Sequence, residues 1–268
     1  MFILPLFVKY YNYIHLLYVL LKITICYNST MNIFITGINN NSGKTVISAG
    51  IAAVMQSLGY KAGVFKPIQT GAIDKGKYLL SPDLTFVKML DPYITTHSTY
   101  MMTTKATPII SAEIEKINIK LDEIVKDYNL LTQKTDTLIT ESTGGLMTPL
   151  NENFFSIQIP LVLNLPILFI VNPSENIISN YLNEINTAKT AGAKIAGVII
   201  NKFSLHSENP DIKAFPTLIE KYTDTKILGL IRNFKEKSVQ SSILFNEILN
   251  GIDLEDVFQM KIPKLNGF

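Results

Sequence analysis

A glycine-rich loop near the start of the chain constrains the fold more than any other feature of the sequence. It runs Gly37-Ile-Asn-Asn-Asn-Ser-Gly43-Lys44-Thr45, after the apolar run Asn32–Thr36 and before the amphipathic stretch Thr45–Leu58. Between a strand and a helix, such a loop directs its N–H groups and the positive end of the helix dipole toward a phosphate. The glycine spacing is one residue longer than in the common P-loop pattern, but the context of the motif is complete. We therefore predict a nucleoside triphosphate site, with Lys44 on the β- and γ-phosphates and the Thr45 hydroxyl on Mg²⁺.

Short apolar runs recur along the rest of the chain. They consist mostly of Val, Ile, Leu and Phe without alternating polar residues. This pattern is typical of strands that are buried on both faces of a parallel sheet. The predicted strands are Asn32–Thr36, Ala62–Lys66, Thr135–Thr140, Pro166–Val171, Lys194–Ile200 and Lys226–Leu230.

Amphipathic stretches lie between the predicted strands. Alternation of strand and helix predicts right-handed crossovers and a doubly wound α/β fold, a mostly parallel sheet with helices on both faces. Ligands of such folds bind beyond the carboxyl ends of the strands. We expect one P-loop ATP-binding domain over residues 31–268. The predicted helices are Thr45–Leu58, Leu121–Leu131, Ile177–Ala191, Ile212–Tyr222 and Val239–Asn250.

Charge and cysteine content exclude several classes of function. Lys and Arg number 24 against 22 Asp and Glu. The surplus lies in Lys9 and Lys22, so the chain from residue 31 onward has no basic field to attract nucleic acid. Cys26 is the only cysteine, which excludes an intrachain disulfide and a thiolate metal cluster. This composition is typical of a reducing compartment, and we expect a cytoplasmic protein.

Residues 1–30 differ in character from the rest of the chain. They are apolar and rich in tyrosine, and Lys9 and Lys22 bracket a run shorter than the ~20 residues that a membrane span needs. A signal peptide would have a basic start and a small-residue cleavage site, and neither is present. We expect an unused upstream start or a leader without a role in the fold, and no membrane association. A membrane-tethering helix and a targeting peptide remain alternatives.

Charged residues follow the second and third predicted strands. Lys66 opens the loop Lys66-Pro-Ile-Gln-Thr-Gly71, where a second cation beside the phosphates is expected. Glu141 follows the apolar run Leu138-Ile-Thr, as does the acid near Mg²⁺ in a Walker-B segment. Asp83, in Ser81-Pro-Asp-Leu, is either a further residue of this site or a helix N-cap. For Lys66 and Glu141 the alternative is a solvated surface position.

These motifs occur together in a specific order. Gly-x5-Gly-Lys-Thr is followed by Lys-Pro-x-x-Thr-Gly, by an Asp before a helix, and by Glu-x-x-Gly-Gly-x-x-Thr-Pro-Leu. Over about residues 31–235 the chain resembles the dethiobiotin synthetase family of biotin biosynthesis. The resemblance implies carboxylation of 7,8-diaminononanoate with CO₂ and phosphorylation of the carbamate with MgATP. Closure of the ureido ring would then give dethiobiotin, ADP and phosphate.

The resemblance also assigns roles to individual residues. Thr45, Asp83 and Glu141 would be the ligands of Mg²⁺, which prefers hard oxygen donors. Lys44 and Lys66 would be catalytic cations around the transferring phosphoryl group, and Lys66, Thr70 and Asn40 would bind the substrate. Asn201 would meet the adenine edge with its amide. The implied nucleotide-binding residues are Asn41, Ser42, Gly43, Lys44, Thr45, Val46, Asp83, Glu141, Ser142, Thr143, Gly144, Asn201, Lys202, Arg232, Asn233 and Phe234.

The chain departs from the family pattern at three places. Ile38-Asn-Asn-Asn41 stands where the family has Thr-Asp-Thr-(Asp/Glu), so the loop lacks an acid. The segment Asn172–Asn176 lacks the family's basic residue and Leu-Gly pair, and Arg232 stands where the family prefers proline. The substrate-tail and adenine contacts therefore stay open. The resemblance further implies a homodimer in which helix Ile177–Ala191 of the neighbouring subunit meets the substrate's carboxylate tail.

Four other functions use a similar nucleotide-binding sequence. A ParA- or MinD-like ATPase switch would carry an extra lysine early in the loop, where this chain has Ile38 and three asparagines. A glutamine-dependent amidase of the cobyric acid type is excluded because it needs a nucleophilic cysteine outside the leader. A nucleotide-binding module without catalysis and a synthetase for a related diamine remain open.

Overall fold

The computed structural model describes residues 31–38, 40–174, 178–204, 206–233 and 241–263. The predictions for residues 1–30 and for Phe234, and the substrate-binding prediction for the side chain of Asn40, lie outside the described part. Among the described residues, no helix combines the length and the apolar character that a membrane crossing requires.

A seven-stranded sheet forms the centre of the molecule, and all of its strand pairs are parallel. Two small two-stranded sheets, β3-β7 and β4-β5, accompany it, and the strand order in the large sheet is β11-β10-β9-β1-β8-β2-β6. The strands are β1 (Met31–Thr36), β2 (Ala62–Phe65), β3 (Ile68–Thr70), β4 (Ile73–Asp74), β5 (Leu79–Leu80), β6 (Thr95–His97), β7 (Tyr100–Met102), β8 (Thr137–Glu141), β9 (Ile167–Val171), β10 (Ile195–Phe203) and β11 (Ile227–Arg232).

Helices cover both faces of the sheet, as the alternation of elements predicted. A short 3-10 turn, Asn40–Ser42, precedes the first of them. The helices are α1 (Lys44–Ser57), α2 (Pro82–Leu90), α3 (Pro108–Glu115), α4 (Leu121–Thr132), α5 (Gln158–Leu163), α6 (Ile178–Thr190), α7 (Pro210–Thr223), α8 (Ser241–Gly251) and α9 (Leu254–Phe258).

Alternate residues of the central strand β1 feed two separate cores. Ile33 and Ile35 pack with buried residues of α1, α2, α8 and α9 on one face of the sheet. Phe34 packs on the other face with buried residues of α3 to α7. A strand apolar at every position is therefore stable here, because successive side chains point to opposite faces and both faces are covered. The doubly wound α/β fold predicted from the sequence is confirmed.

The six predicted strands and five predicted helices are all present, with ends that differ by a few residues. Residues Ile177 and Val239, where two of the helices were predicted to begin, lie outside the described part. The edge strand β6 was missed, because Thr95-Thr-His97 is short and polar. Helix α2 was expected after Ser81-Pro-Asp from its start signal, without bounds. Helices α3, α5 and α9 were missed because each is short, which makes a helical repeat of apolar residues hard to detect.

Candidate functional site

The glycine loop joins β1 to α1 at the carboxyl edge of the sheet. Gly43 is the residue before α1, and its φ of 91° lies in the left-handed region that favours glycine. A Cβ at this position would also collide with the side-chain amide of Asn201. Any other residue at position 43 would therefore strain the backbone and displace Asn201. Helix α1 begins at Lys44, which places that side chain and the Thr45 hydroxyl at the helix N-terminus.

Strand β10 supports the loop from the side. The amide nitrogen Nδ2 of the buried Asn201 donates to the carbonyl oxygen of Ser42 at 2.9 Å. The Lys202 ammonium donates to the carbonyl oxygen of Asn41 at 3.3 Å. Lys202 adopts a left-handed φ of 57°, which is uncommon for a residue with a side chain. The structure thus brings Asn201 and Lys202 against the phosphate loop itself.

A cluster of four side chains lies beside the loop, and we call it the charged cluster: Thr45, Lys66, Asp83 and Glu141. The Lys66 ammonium is 2.6 Å from Oδ2 of Asp83 and 2.7 Å from Oε1 of Glu141. The Thr45 hydroxyl donates to the same Glu141 oxygen at 2.8 Å. Lys66 and Glu141 meet because β2 and β8 are neighbours in the sheet. All four residues were candidates from the sequence, and the structure brings them together.

Asp83 owes its position to a cap on α2. The Ser81 hydroxyl accepts a hydrogen bond from the backbone N–H of Leu84 at 3.1 Å and donates to Oε1 of Gln69 at 2.6 Å. Ser81 is therefore the N-cap residue, and Asp83 lies in the first turn. The alternative that Asp83 itself is the cap is wrong. Its carboxylate turns toward Lys66, and its side chain is one-third exposed, at 33%.

The two lysines of the site have opposite pKa shifts. Burial disfavours the charged form of Lys66, but the carboxylates of Glu141 and Asp83 outweigh it and raise the pKa of Lys66 above its ordinary value. Burial and the nearby Lys66 ammonium lower the pKa of Lys44 to about 8, against a partial compensation by Glu141 and Asp83. Lys66 is therefore a fixed cation, whereas the carboxylates near Lys44 offset its burial only in part.

The oxygen atoms of the charged cluster suit a hard divalent cation. The Lys66 ammonium bridges two carboxylates, so a positive charge already fits between them. A hydroxyl and two carboxylates are donors that Mg²⁺ accepts, and it commonly keeps water and phosphate oxygens as its other ligands. Within the described residues, no group of three or more His, Cys, Asp or Glu side chains could hold a metal ion. The cluster therefore fits a metal shared with a phosphate better than an all-protein metal site.

A cleft of about 700 Å³ opens next to the loop. Thr70, predicted to bind substrate, lies on its wall, as do Thr143 and Gly144 of the segment after β8. The Thr143 hydroxyl donates to the carbonyl oxygen of Ile68, and the neighbouring Ser142 hydroxyl donates to that of Gly144 at 2.7 Å. The first bond joins this wall to β3, and the second stabilises the turn after β8.

Glu184 of α6 also lines this cleft, and sequence reasoning missed it. Nothing in its local sequence distinguishes it from a solvated helix residue. Its partner is the backbone N–H of Leu146, which is remote along the chain.

Other predicted nucleotide residues lie apart from the charged cluster. Arg232 ends β11, is 76% exposed along its side chain, and pairs with Glu247 of α8. Asn233 follows it and is exposed. Val46 packs against the core beneath α1. In the part of the chain that the structure describes, the side-chain hydrogen bonds and the ion pair of Arg232 go to Glu247, and none goes to the loop or the cluster.

Comparison with known proteins identifies a family and several related enzymes. The sequence model of the family AAA_26, described as an AAA domain, matches residues 31–239. The chain is 27% identical over 200 residues to the ATP-dependent dethiobiotin synthetase BioD of Bacillus subtilis strain 168, covering 74% of this chain and 85% of that protein. It is 28% identical over 215 residues to the enzyme of the same name from Anoxybacillus flavithermus, covering 78% and 95%. The predicted resemblance to dethiobiotin synthetases is confirmed.

A solved structure is similar in fold. The crystal structure of the cell division ATPase MinD from Pyrococcus furiosus has a TM-score of 0.53, with 15% sequence identity and coverage of 85% of this chain and 98% of that chain. At this identity the similarity supports the doubly wound fold and carries nothing about partners or activity.

Proposed function

Because the chain belongs to the AAA_26 family of AAA domains, we propose that it is an ATP-dependent dethiobiotin synthetase. The reaction is carboxylation of 7,8-diaminononanoate with CO₂, phosphorylation of the carbamate by ATP, and ring closure to dethiobiotin, ADP and phosphate. It is a carbon–nitrogen bond-forming ligation. The observation that carries the proposal is the charged cluster beside the glycine loop, in which Lys66 meets both Asp83 and Glu141.

The phosphate groups of ATP would lie on the glycine loop. The N-terminus of α1 offers backbone N–H groups and its positive dipole end, and the Lys44 ammonium adds positive charge at the same point. Thr45, Asp83 and Glu141 would hold Mg²⁺. When bound, that ion neutralises charge on the β- and γ-phosphate oxygens.

Lys66 would orient the carbamate. Phosphoryl transfer depends mainly on positioning and on stabilising negative charge, so a fixed cation at the acceptor is effective. The buried Lys66 remains protonated because its two carboxylate partners raise its pKa. Thr70 on the cleft wall would donate or accept a hydrogen bond with the substrate. The assignment of Asn40 to the substrate rests on the family resemblance alone.

The base of the nucleotide would lie toward β10 and β11. We assign Asn201, Lys202, Arg232, Asn233 and Phe234 to that end of the site. Asn201 and Lys202 hydrogen-bond to carbonyl oxygens of the glycine loop, so the end of β10 adjoins the phosphate position, and the base would extend from there. The remaining assignments rest on the family resemblance alone.

The assembly and location are part of the proposal. We assign a cytoplasmic homodimer, acting without nucleic acid or membrane, in which α6 lies near the neighbouring subunit's substrate. Light scattering at working concentrations is expected to give twice the mass of the chain. A monomer with full activity would contradict the assembly and leave the chemistry intact.

The activity is tested by ADP release from MgATP with and without diaminononanoate plus bicarbonate. We expect release that depends on the diamine, together with dethiobiotin identified by mass. The matched control is Lys44→Ala purified in parallel, which accounts for contaminating ATPase. Release that ignores the diamine would favour a ParA- or MinD-like switch. Release with another diamine only would favour a variant synthetase, and no nucleotide binding would favour an inert module.

A further inference from the structure

Glu184 is a half-buried carboxylate that the mechanism above does not use. It lies on α6 and faces the 700 Å³ cleft beside the glycine loop. Its Oε1 accepts a hydrogen bond from the backbone N–H of Leu146. Within the described part of the chain, the hydrogen bond that reaches this carboxylate is the one to Oε1, and none is formed to Oε2. One oxygen is thus anchored and the other is available to a ligand.

Gly145 makes the approach of Glu184 possible. A Cβ at position 145 would lie 2.7 Å from Oε1 of Glu184, which is closer than side chains pack. The glycine therefore admits the carboxylate to the cleft wall, beside Gly144 and Thr143. The backbone of the segment that follows β8 therefore sets the position of Glu184, through the N–H of Leu146 and the open space at Gly145.

The charge distribution of the cleft singles out this carboxylate. Among the described residues that line the cleft, Glu184 is the one acid and Lys105 the one base. The nearby acids Asp83 and Glu141 are already paired with Lys66. The glycine loop offers Ile38 and asparagines in place of an acid. A cationic group that enters the cleft therefore has Glu184 as its available anionic partner.

Without such a partner, the cost of burying the charged form of Glu184 is offset only in part. Burial raises the pKa of Glu184, and the Leu146 hydrogen bond and the Lys44 charge offset this only in part. A carboxylate removed from water gains stability from a second donor or cation. An ammonium group at Oε2 would provide both.

We propose that Glu184 binds an amine of the diamine substrate through Oε2 and thereby selects for diamines. The amine concerned is the one that does not receive CO₂. This inference rests on the proposed function, since it assigns a substrate contact in the same cleft. It makes Glu184 a specificity-determining residue, and no covalent step is assigned to it.

The test is Glu184→Gln. Glutamine keeps an oxygen for the Leu146 N–H and replaces Oε2 by an uncharged NH₂ group, so the wall of the cleft is retained. We expect the KM for diaminononanoate to rise about 10-fold or more, as expected for loss of a charge-assisted hydrogen bond. The KM for ATP and the melting temperature are expected to stay at wild-type values. The matched control is Glu113→Gln, an exposed acid on α3.

A substrate analogue isolates the contact. 7-Aminononanoate lacks the second amine. Wild-type protein should therefore bind it about 10-fold more weakly than it binds the diamine. In Glu184→Gln this difference should disappear. Isothermal titration of both compounds, with a non-hydrolysable ATP analogue present, measures the comparison without turnover.

The outcomes separate this inference from the proposed function. Diamine binding without dethiobiotin formation would overturn the function, while the titrations still decide the role of Glu184. Equal diamine affinity in wild type and Glu184→Gln, or no diamine binding at all, would overturn the inference. So would a variant whose melting temperature falls and whose KM for ATP rises in parallel, because Glu184 would then only brace the wall.

Discussion

The two ends of the proposed nucleotide site are built in different ways. At the phosphate end, Lys66 and Glu141 are almost fully buried and their charged atoms contact one another. At the base end, Arg232 is mostly exposed, and its guanidinium pairs with Glu247 on the protein's own surface. The first arrangement fixes side chains in place before any ligand binds. The second leaves an ion pair between an exposed guanidinium and a mostly buried carboxylate, which a ligand would have to rearrange.

The difference predicts where substitutions have large effects. Removing one member of a buried, paired cluster leaves an uncompensated charge in a medium of low dielectric, which costs about 3–5 kcal/mol in measured cases. A solvent-exposed ion pair is screened, and its loss often has no measurable effect. Effects on turnover should follow the same order, because charges fixed in advance stabilise a transition state best.

The largest effects are expected from the two lysines of the phosphate end. Lys66→Ala should keep ATP affinity near the wild-type value yet lose about 10²-fold or more in turnover, since its charge meets the acceptor and the transition state. Lys44→Ala should lose both ATP affinity and turnover, because it touches the ground-state phosphates too. Titration of ATP and single-turnover ADP release measure the two quantities separately.

The contrast between the two lysines can also fail. If Lys66→Ala weakens ATP binding as much as Lys44→Ala and turns over normally at saturating ATP, Lys66 is a phosphate clamp. The carbamate assignment would then be wrong. Lys105→Ala, which removes a cation from the far wall of the cleft, tests whether any nearby positive charge has the same effect.

A smaller effect is expected from the acids of the same cluster. Asp83→Asn and Glu141→Gln should raise the Mg²⁺ concentration needed for half-maximal activity by about 10-fold, because charged oxygen ligands become neutral. Added Mg²⁺ should restore part of the rate. An exposed acid, in Glu113→Gln, serves as the matched control. Loss of activity that no Mg²⁺ concentration improves would show that these acids serve only to hold Lys66.

The phosphate end could be predicted from the sequence for a physical reason. Its residues follow strands directly, and parallel strands deliver their carboxyl ends to one edge, so Lys66 and Glu141 could be placed without knowing the structure. The loop and the capped helix of Asp83 add local signals. The structure was needed to identify Ser81 as the cap, because Ser, Pro and Asp are all common at helix starts. It was also needed to show that Lys66 and Glu141 are buried and paired with each other.

The substrate cleft was harder to predict from the sequence. Glu184 becomes a wall residue through Gly145 and Leu146, which are remote in sequence, and its own helix pattern shows only an acid on an amphipathic helix. The bond between Asn201 and Ser42 is similar, since nothing in the sequence indicates which loop carbonyl a strand-end amide meets. Contacts of this kind depend on packing distances that short motifs do not encode.

Asn201→Ala tests the boundary between the two ends. It removes the donor to the Ser42 carbonyl in a buried place, which should cost about 1–3 kcal/mol of unfolding free energy. If the amide supports the loop, the KM for ATP should rise about five-fold, and the variant should lose affinity for GTP equally. If the amide also contacts adenine, the loss should be larger for ATP than for GTP. Denaturant unfolding and titration of both nucleotides separate the two roles.

The smallest effect is expected from Arg232→Ala at the base end. The guanidinium is solvent-exposed and already occupied by Glu247, so its removal should change the KM for ATP by less than about two-fold. Glu247→Gln is the matched variant, since it releases the same arginine without deleting it. If Arg232 reaches the nucleotide, Arg232→Ala should weaken ATP binding and Glu247→Gln should strengthen it. Opposite changes in these two titrations would show that the base end rearranges on binding. Arg232 would then leave Glu247 and contact the nucleotide.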